Sequence, residues 1–131
     1  LRKKVSIREE KKAKRNKMTN IIYKKRVQKI RKKLKKINTD RFRLTVFRSS
    51  RNISAQIIDD KNNNTLVSAT SIKKKTSNIK KKDLSFHVAE MLVKKALEKK
   101  ITKVYFDRGR YKYHGRIKFF AEAIRKGGLT F

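Results

Sequence analysis

The chain has no cysteine, no tryptophan, two histidines and only 10 acidic residues in 131 positions. Without cysteine it can form no disulfide, thiol nucleophile or cysteine metal site, so its stability must come from packing and from a bound partner. No apolar run approaches the roughly 20 residues that span a bilayer, which predicts a soluble chain. The missing tryptophan argues against a membrane-surface helix, which would carry bulky anchors.

Positive charge is what the chain has in excess. Its 41 Lys and Arg residues give a formal net charge of +31, while 37% hydrophobic residues suffice for one small domain with a modest core. Self-repulsion of this size opposes compaction, so neutralisation by phosphates should stabilise the fold. We therefore expect a nucleic-acid partner, and we expect no membrane binding, no cofactor and no homo-oligomer.

A basic arm occupies the first third of the chain. Residues 1–43 hold 20 Lys and Arg against three acids, and the mostly polar segment 1–17 is predicted to be disordered when free. From Tyr23 onward, apolar residues recur at spacings of four and three, which predicts a helix at about 20–37 with one apolar stripe. This helix either lies solvated on its own domain or is sandwiched between that domain and an RNA groove, and the pattern leaves both open.

The pattern changes after residue 40, so we divide the chain into an arm (1–40) and a globular domain (41–131). The predicted elements of the domain are three strands (44–47, 53–58, 65–70), a helix (83–99), a strand (104–106) and a helix from 117 to the Gly127-Gly128 pair. A helix between two strands permits a parallel crossover. The predicted fold class is α/β (α+β): a mixed four-stranded sheet, order βββαβα, with both helices on one face.

The segment 71–82 has two lysine triplets and no periodicity, which predicts a mobile loop. Charge runs of this kind are usually solvated, so the lysines are weak evidence for binding. Asp83 follows the second triplet and is predicted to cap the next helix.

The most informative segment is 107–116, Asp-Arg-Gly-Arg-Tyr-Lys-Tyr-His-Gly-Arg, where cations alternate with aromatic rings around two glycines. Cations suit phosphates, flat rings suit unstacked bases, and glycines allow close backbone approach. The segment follows a strand and precedes a helix, a position that favours anionic ligands. The alternative is that one tyrosine, Tyr113, folds back into the core. We expect Asp107 to orient Arg108 and Arg110.

A catalytic reading would have to use Asp107 and His114 as acid and base. The other histidine, His87, lies on a predicted helix, so no two-histidine site is indicated. No metal-ligand cluster, phosphate loop or nucleophile elbow is found in the sequence. We predict that the protein is not an enzyme.

Polar residues of the predicted sheet provide a second candidate surface. The turn 48–52 could follow a phosphate backbone, and Gln56, Ser68 and Thr70 could bind riboses, although they could equally be ordinary solvent-facing residues. The complete set of predicted RNA-binding residues is Lys24, Lys25, Arg26, Arg31, Arg41, Arg43, Arg48, Ser49, Arg51, Asn52, Gln56, Ser68, Thr70, Arg108, Gly109, Arg110, Tyr111, Lys112, Tyr113, His114, Gly115 and Arg116.

Four segments together resemble one family: 44–60, Val104-Tyr-Phe-Asp-Arg-Gly109, Tyr113-His-Gly-Arg116 and Gly128-Leu-Thr-Phe131. They are similar to bacterial-type large-subunit ribosomal protein eighteen over about residues 41–131. The resemblance implies a domain that binds 5S ribosomal RNA and helps attach it to large-subunit RNA in the central protuberance. It also implies a basic arm between the two RNAs, and large-subunit ribosomal protein five as a neighbour.

The same likeness assigns RNA contact to Arg48, Ser49, Arg51, Asn52 and Gln56 together with the loop 108–116. The rival function is that of a nonspecific nucleic-acid condensing protein, for which the basic arm would provide all the binding.

Some positions depart from the family pattern. Phe42 stands where proline is usual, Lys100 where a glycine usually follows the first domain helix, and Arg110 where a small residue is common. The pair Phe119-Phe120 is bulkier than usual. The start at Leu1 and the long arm favour an organellar ribosome over a bacterial one.

Overall fold

The structure is a computed structural model that describes residues 2–72 and 79–131. The chain divides into two compact units, a first that ends at Lys36 and a second, Ile37–Phe131. No helix in the described part is long and apolar enough to cross a membrane.

The first unit is a single helix, α1, Arg2–Ile37. It begins well before the predicted position near residue 20, and it includes most of the segment 1–17 that we assigned to disorder. The chain has no proline and no glycine before Gly109, so nothing in the arm interrupts a run of good helix formers. From Ser6 onward most α1 side chains are exposed, including the apolar ones at Ile21 and Ile22.

The second unit has the predicted order of elements. These are β1 (Phe42–Arg48), β2 (Ile53–Asp59), β3 (Asn64–Thr70), α2 (Lys81–Glu98), β4 (Val104–Asp107) and α3 (Arg116–Lys126). The strands form one mixed sheet in the order β3-β2-β1-β4. β1 pairs antiparallel with β2 and parallel with β4. The predicted fold class is confirmed.

The hydrophobic core lies between one face of the sheet and the two helices. Alternate strand residues point into it because side chains alternate across a strand. The buried core includes Leu44, Val46, Ile53, Ala55, Ile57, Val67 and Ala69 from the sheet, Val88, Ala89, Leu92, Val93 and Ala96 from α2, and Ile117, Phe120 and Ile124 from α3. Both helices therefore cover one face, and among the described residues of this unit no helix or strand covers the opposite face.

The start of α2 differs from the prediction. The helix begins at Lys81 with Lys80 as its N-cap, and no side chain makes a capping hydrogen bond. Asp83 lies inside the first turn, so its prediction as the cap was wrong, although a carboxylate there still favours the positive helix end. Of the predicted loop 71–82, residues 73–78 lie outside the described residues.

The end of α2 forms without the family's glycine. Lys100 adopts a left-handed backbone with φ of 58°. Its N–H donates to the carbonyl of Leu97 at 2.9 Å, and the N–H of Ile101 donates to that of Ala96 at 2.9 Å. These two bonds satisfy carbonyls at the helix end, as in a glycine-terminated helix. The fold keeps the termination and bears the strain of a side chain at Lys100.

Two other departures are accommodated by packing. Phe42 is the first residue of β1 and pairs with Val104. Phe120 is fully buried, while the Phe119 ring lies 6.0 Å from that of Phe86, between centroids. The bulky aromatic pair therefore fills the contact between α2 and α3.

Candidate nucleic-acid interface

The parallel pairing of β1 and β4 places two predicted RNA-binding segments at one edge of the sheet. Parallel strands end at the same edge, so the turn 49–52 after β1 lies beside the loop 108–115 after β4. The guanidinium of Arg116, at the start of α3, donates to the carbonyl of Ser49 at 2.9 Å. The structure thus brings together segments that are about 60 residues apart in the chain.

Tyr111 fastens the loop to the sheet. Its phenolic oxygen accepts from the backbone N–H of Arg48 at 3.0 Å, and its O–H donates to the Arg48 carbonyl at 3.1 Å. The ring packs against the core. The tyrosine that folds back is therefore Tyr111, and the choice of Tyr113 was wrong: Tyr113 is 38% exposed. β4 ends opposite Thr45, so the later backbone of β1 needs another partner, which Tyr111 supplies.

Two arginines meet at this edge. The guanidinium carbon of Arg48 lies 5.2 Å from the Tyr111 ring centroid. Burial, and then the charge of Arg48, lower the pKa of Arg116 from its ordinary value, and Tyr111 partly offsets them. Within the described residues, neither arginine has an ion-pair partner. Like charges brought together without an acid favour an anion, and RNA phosphates provide one.

The rest of the loop faces solvent. Arg108, Arg110, Lys112, Tyr113 and His114 are all exposed. The guanidinium carbon of Arg110 lies 5.6 Å from the Tyr111 centroid, so the residue that departs from the family pattern stacks beside the anchored ring. The loop is anchored through Tyr111 and presents exposed cations and the exposed ring of Tyr113 to solvent.

The two glycines of the loop adopt conformations that other residues avoid. Gly109 and Gly115 have φ of 60° and 58°. Gly115 is the N-cap of α3 and brings no capping side chain. The loop's path therefore depends on glycine at both positions.

The turn 49–52 satisfies much of its own hydrogen bonding. Asn52 N–H donates to Ser49 Oγ at 2.9 Å, and Ser49 N–H donates to the Asn52 carbonyl at 2.9 Å. Buried Ser71, which sequence analysis did not single out, donates to Asn52 Oδ1 at 3.1 Å. Ser49 and Asn52 shape the turn, and Arg51 is left exposed.

Arg43, another predicted RNA contact, lies in an ion-pair network. Its guanidinium donates twice to Asp60, each time at 3.1 Å, and once to Asp107 at 3.2 Å. Burial alone would lower the pKa of Arg43, but hydrogen bonds and attraction from the two carboxylates outweigh it and raise that pKa. The Tyr105 hydroxyl donates to Asp60 at 3.0 Å. No local pattern in the sequence pointed to Asp60 and Tyr105, because their partner Arg43 lies on another strand.

Asp107 was expected to orient Arg108 and Arg110. In the structure it is 1% exposed, forms an ion pair with Arg43 and accepts the backbone N–H of Gly109 at 3.0 Å. It therefore connects the sheet to the start of the loop.

The face of the sheet opposite the helices carries the three predicted strand residues. Gln56 lies opposite Thr45 on β1 and opposite Ser68 on β3, and Thr70 lies opposite Ser54. Gln56 and Ser68 are exposed. One residue on this face was missed, Phe47, whose position follows from alternation with buried Val46.

The remaining predicted contacts are cations outside this edge. Lys24, Lys25, Arg26 and Arg31 are exposed along α1, and Arg41 is exposed just before β1. The choice between a solvated helix and one placed in an RNA groove stays open. In the described residues, no group of three or more acidic or histidine side chains could hold a metal ion.

Comparisons with known proteins agree with the sequence resemblance. Residues 13–131 match the family described as ribosomal L18 of archaea, bacteria, mitochondria and chloroplast. The large ribosomal subunit protein uL18 of Listeria monocytogenes serotype 4a is 49% identical over 113 residues, covering 86% of this chain and 94% of that protein. The uL18 of Bartonella tribocorum is 42% identical over 114 residues, covering 84% and 95%. These relatives are bacterial and do not support the organellar expectation.

Proposed function

The chain belongs to the uL18 family of large-subunit ribosomal proteins, and from this premise we propose that it binds 5S ribosomal RNA and helps attach it to large-subunit RNA in the central protuberance. The family is one of structural ribosomal proteins, not of enzymes. The action we propose is therefore positional: the protein neutralises phosphates and holds two RNAs in one arrangement.

The observation that carries this proposal is the anchored cationic edge, which we define as Arg48, Tyr111 and Arg116 with the turn 49–52 and the loop 108–115. Its two arginines are held by a ring contact and by a bond to the Ser49 carbonyl. Cations held in one geometry can select an RNA by shape, whereas mobile cations bind phosphates wherever they occur.

The arm has a different proposed role. Exposed cations along α1, such as Lys24 and Lys25, supply charge on a long helix. We assign them to large-subunit RNA, with ribosomal protein five as the expected neighbour on 5S RNA. Contacts of this type set affinity and its salt dependence more than they set selectivity.

The first experiment is competition binding of the whole chain to 5S RNA against a structured RNA of equal length, over a salt series. We expect the preference for 5S RNA to persist at high salt, where binding driven by counterion release has weakened. Equal binding to both RNAs at every salt concentration would replace this proposal with the condensing-protein function.

Two variants that lose the same charge distinguish the role of the anchored cationic edge from that of the arm. Arg48→Ala/Arg116→Ala and Lys24→Ala/Lys25→Ala each remove two positive charges. We expect the first variant to lose the preference for 5S RNA. The second should weaken binding to both RNAs alike and reduce the salt slope by about 1 for each lost phosphate contact. If both variants kept the preference, the anchored cationic edge would not be the recognition surface.

A further inference from the structure

The open face of the sheet carries one exposed aromatic side chain that no described residue of the domain covers. Phe47 is 58% exposed, although its neighbour Val46 is buried in the core. It lies directly opposite Ser54 on β2. Other apolar side chains of the domain are also exposed, among them Ile72 and Leu97, but Phe47 is aromatic and is fixed on a strand of the sheet.

The surroundings of Phe47 are polar and mostly neutral. On the same face lie Thr45, Ser54, Gln56 and Ser68, which offer hydroxyl and amide groups. The carboxylates Asp60 and Asp107, at the far end of this face, are paired with Arg43. A ring surrounded by neutral donors and acceptors resembles what sheet-based RNA-binding proteins use to hold single bases.

The charges at the end of the strand indicate which partner would occupy this face. Arg51 is exposed in the turn that follows β1, and Arg116 donates to the Ser49 carbonyl of that turn. The side chain of Arg48 lies on the opposite side of the strand from Phe47, against Tyr111. An apolar protein surface or a second copy of this strongly basic chain would face repulsion or unpaired cations here. An RNA strand would place its phosphates at the cations and its bases over the sheet.

We propose that Phe47 is a stacking platform for an unstacked RNA base, and that Gln56 hydrogen-bonds the edge of that base or its ribose. The proposal rests on the proposed function as an RNA-binding protein and adds a recognition element outside the anchored cationic edge. Stacking accepts any base, because every base has a flat face. The Gln56 amide, which can both donate and accept, supplies the preference.

The absence of tryptophan makes a direct test possible. Phe47→Trp introduces the only tryptophan of the chain at the proposed platform, and it can be excited selectively over the four tyrosines. Leu97→Trp, at a 45% exposed position on α2, is the matched control on the helix-covered side. We expect saturating 5S RNA to quench the fluorescence of the Phe47→Trp variant strongly and that of the Leu97→Trp variant little. Equal responses of the two variants would overturn the proposal.

Affinity provides a second measurement. Phe47→Ala should weaken RNA binding about 5- to 160-fold, since base–aromatic stacking is worth about 1–3 kcal/mol per base. Phe47→Tyr should keep the affinity. The salt slope should stay the same in both variants, because no phosphate contact is lost. If Phe47→Ala changed the salt slope but left the affinity at high salt unchanged, Phe47 would act only through neighbouring cations.

The same experiments separate this inference from the proposed function. If the wild-type chain prefers 5S RNA but neither Phe47 variant responds, the inference fails alone. If the chain shows no preference, yet a short single-stranded RNA quenches Phe47→Trp and not Leu97→Trp, the proposed function fails and the stacking platform stands.

Discussion

Tyr111 and Arg48 are joined twice through one hydroxyl, which accepts the Arg48 N–H at 3.0 Å and donates to the Arg48 carbonyl at 3.1 Å. β1 continues past the end of β4, so Arg48 has β2 on one side but no strand on the β4 side. The phenol takes the place of the missing strand residue and thereby holds the loop 108–115 against the sheet.

Tyr111→Phe removes both hydrogen bonds while it keeps the ring. We expect the free energy of unfolding to fall by about 1–3 kcal/mol, because a partly buried N–H and carbonyl are left without their partner. This loss in the free energy of unfolding can be measured by denaturant unfolding in high salt, because salt screens the self-repulsion of the chain. Tyr113→Phe is the control: its contact with Arg125 is exposed and 3.4 Å long, so the change should stay within about 0.5 kcal/mol. Equal losses in the two variants would contradict the anchoring role.

Lys100→Gly should stabilise the protein. Lys100 has φ of 58°, a conformation that costs a side-chain-bearing residue about 1 kcal/mol and costs glycine almost nothing. Lys94→Gly, at an exposed position inside α2, removes the same charge but should destabilise by about 1 kcal/mol. Thermal unfolding of the two variants should therefore show shifts of opposite sign. A lower unfolding temperature for Lys100→Gly would show that the Lys100 side chain stabilises the fold by more than its backbone strain destabilises it.

Tyr105 makes stability sensitive to alkaline pH. Burial first, and then the hydrogen bond and charge of Asp60, raise the pKa of Tyr105 to about 12. The folded state thus holds the proton more tightly than the unfolded chain, whose tyrosine pKa is about 10. The stability that this proton provides is complete below about pH 10 and is lost as pH rises through about 12. Ultraviolet titration should show a phenolate step near pH 12 that is absent from Tyr105→Phe, and its presence in that variant would refute the assignment.

The exposed edge of β3 is covered by lysines. Lys95 Nζ donates to the Ser68 carbonyl at 2.9 Å, and Lys99 Nζ donates to the Leu66 carbonyl at 2.6 Å. Unpaired strand edges template association, and lysine is one of the residues that prevent it.

Lys95→Met/Lys99→Met should therefore self-associate as concentration rises, which sedimentation velocity can measure. Lys94→Met/Lys126→Met loses equal charge at exposed positions away from this edge and should stay monomeric. Association of both variants would mean that net charge, and not the coverage of the β3 edge, keeps copies of the protein from associating.

Local patterns in the sequence were enough for the order of elements and for the fold class. Alternating strand residues and the helical spacing of Ile117, Phe120 and Ile124 predicted which side chains form the core. These patterns have the period of the structure itself, so they can be read without knowing any partner. The length of α1 was misjudged because charge density was read as disorder where the helix propensity of Lys, Arg and Ala indicated a helix.

The charge of the chain and the residue types of the segment 107–116 do not depend on folding, so they were enough to predict a polyanionic partner. Which of those residues are anchored to the sheet and which are exposed follows only from the folded domain. Tyr111 and Arg48 are 63 residues apart, and Arg43 and Asp107 are 64 apart. Such partners meet only after β1 and β4 have paired in register, and no local spacing in the chain encodes that pairing.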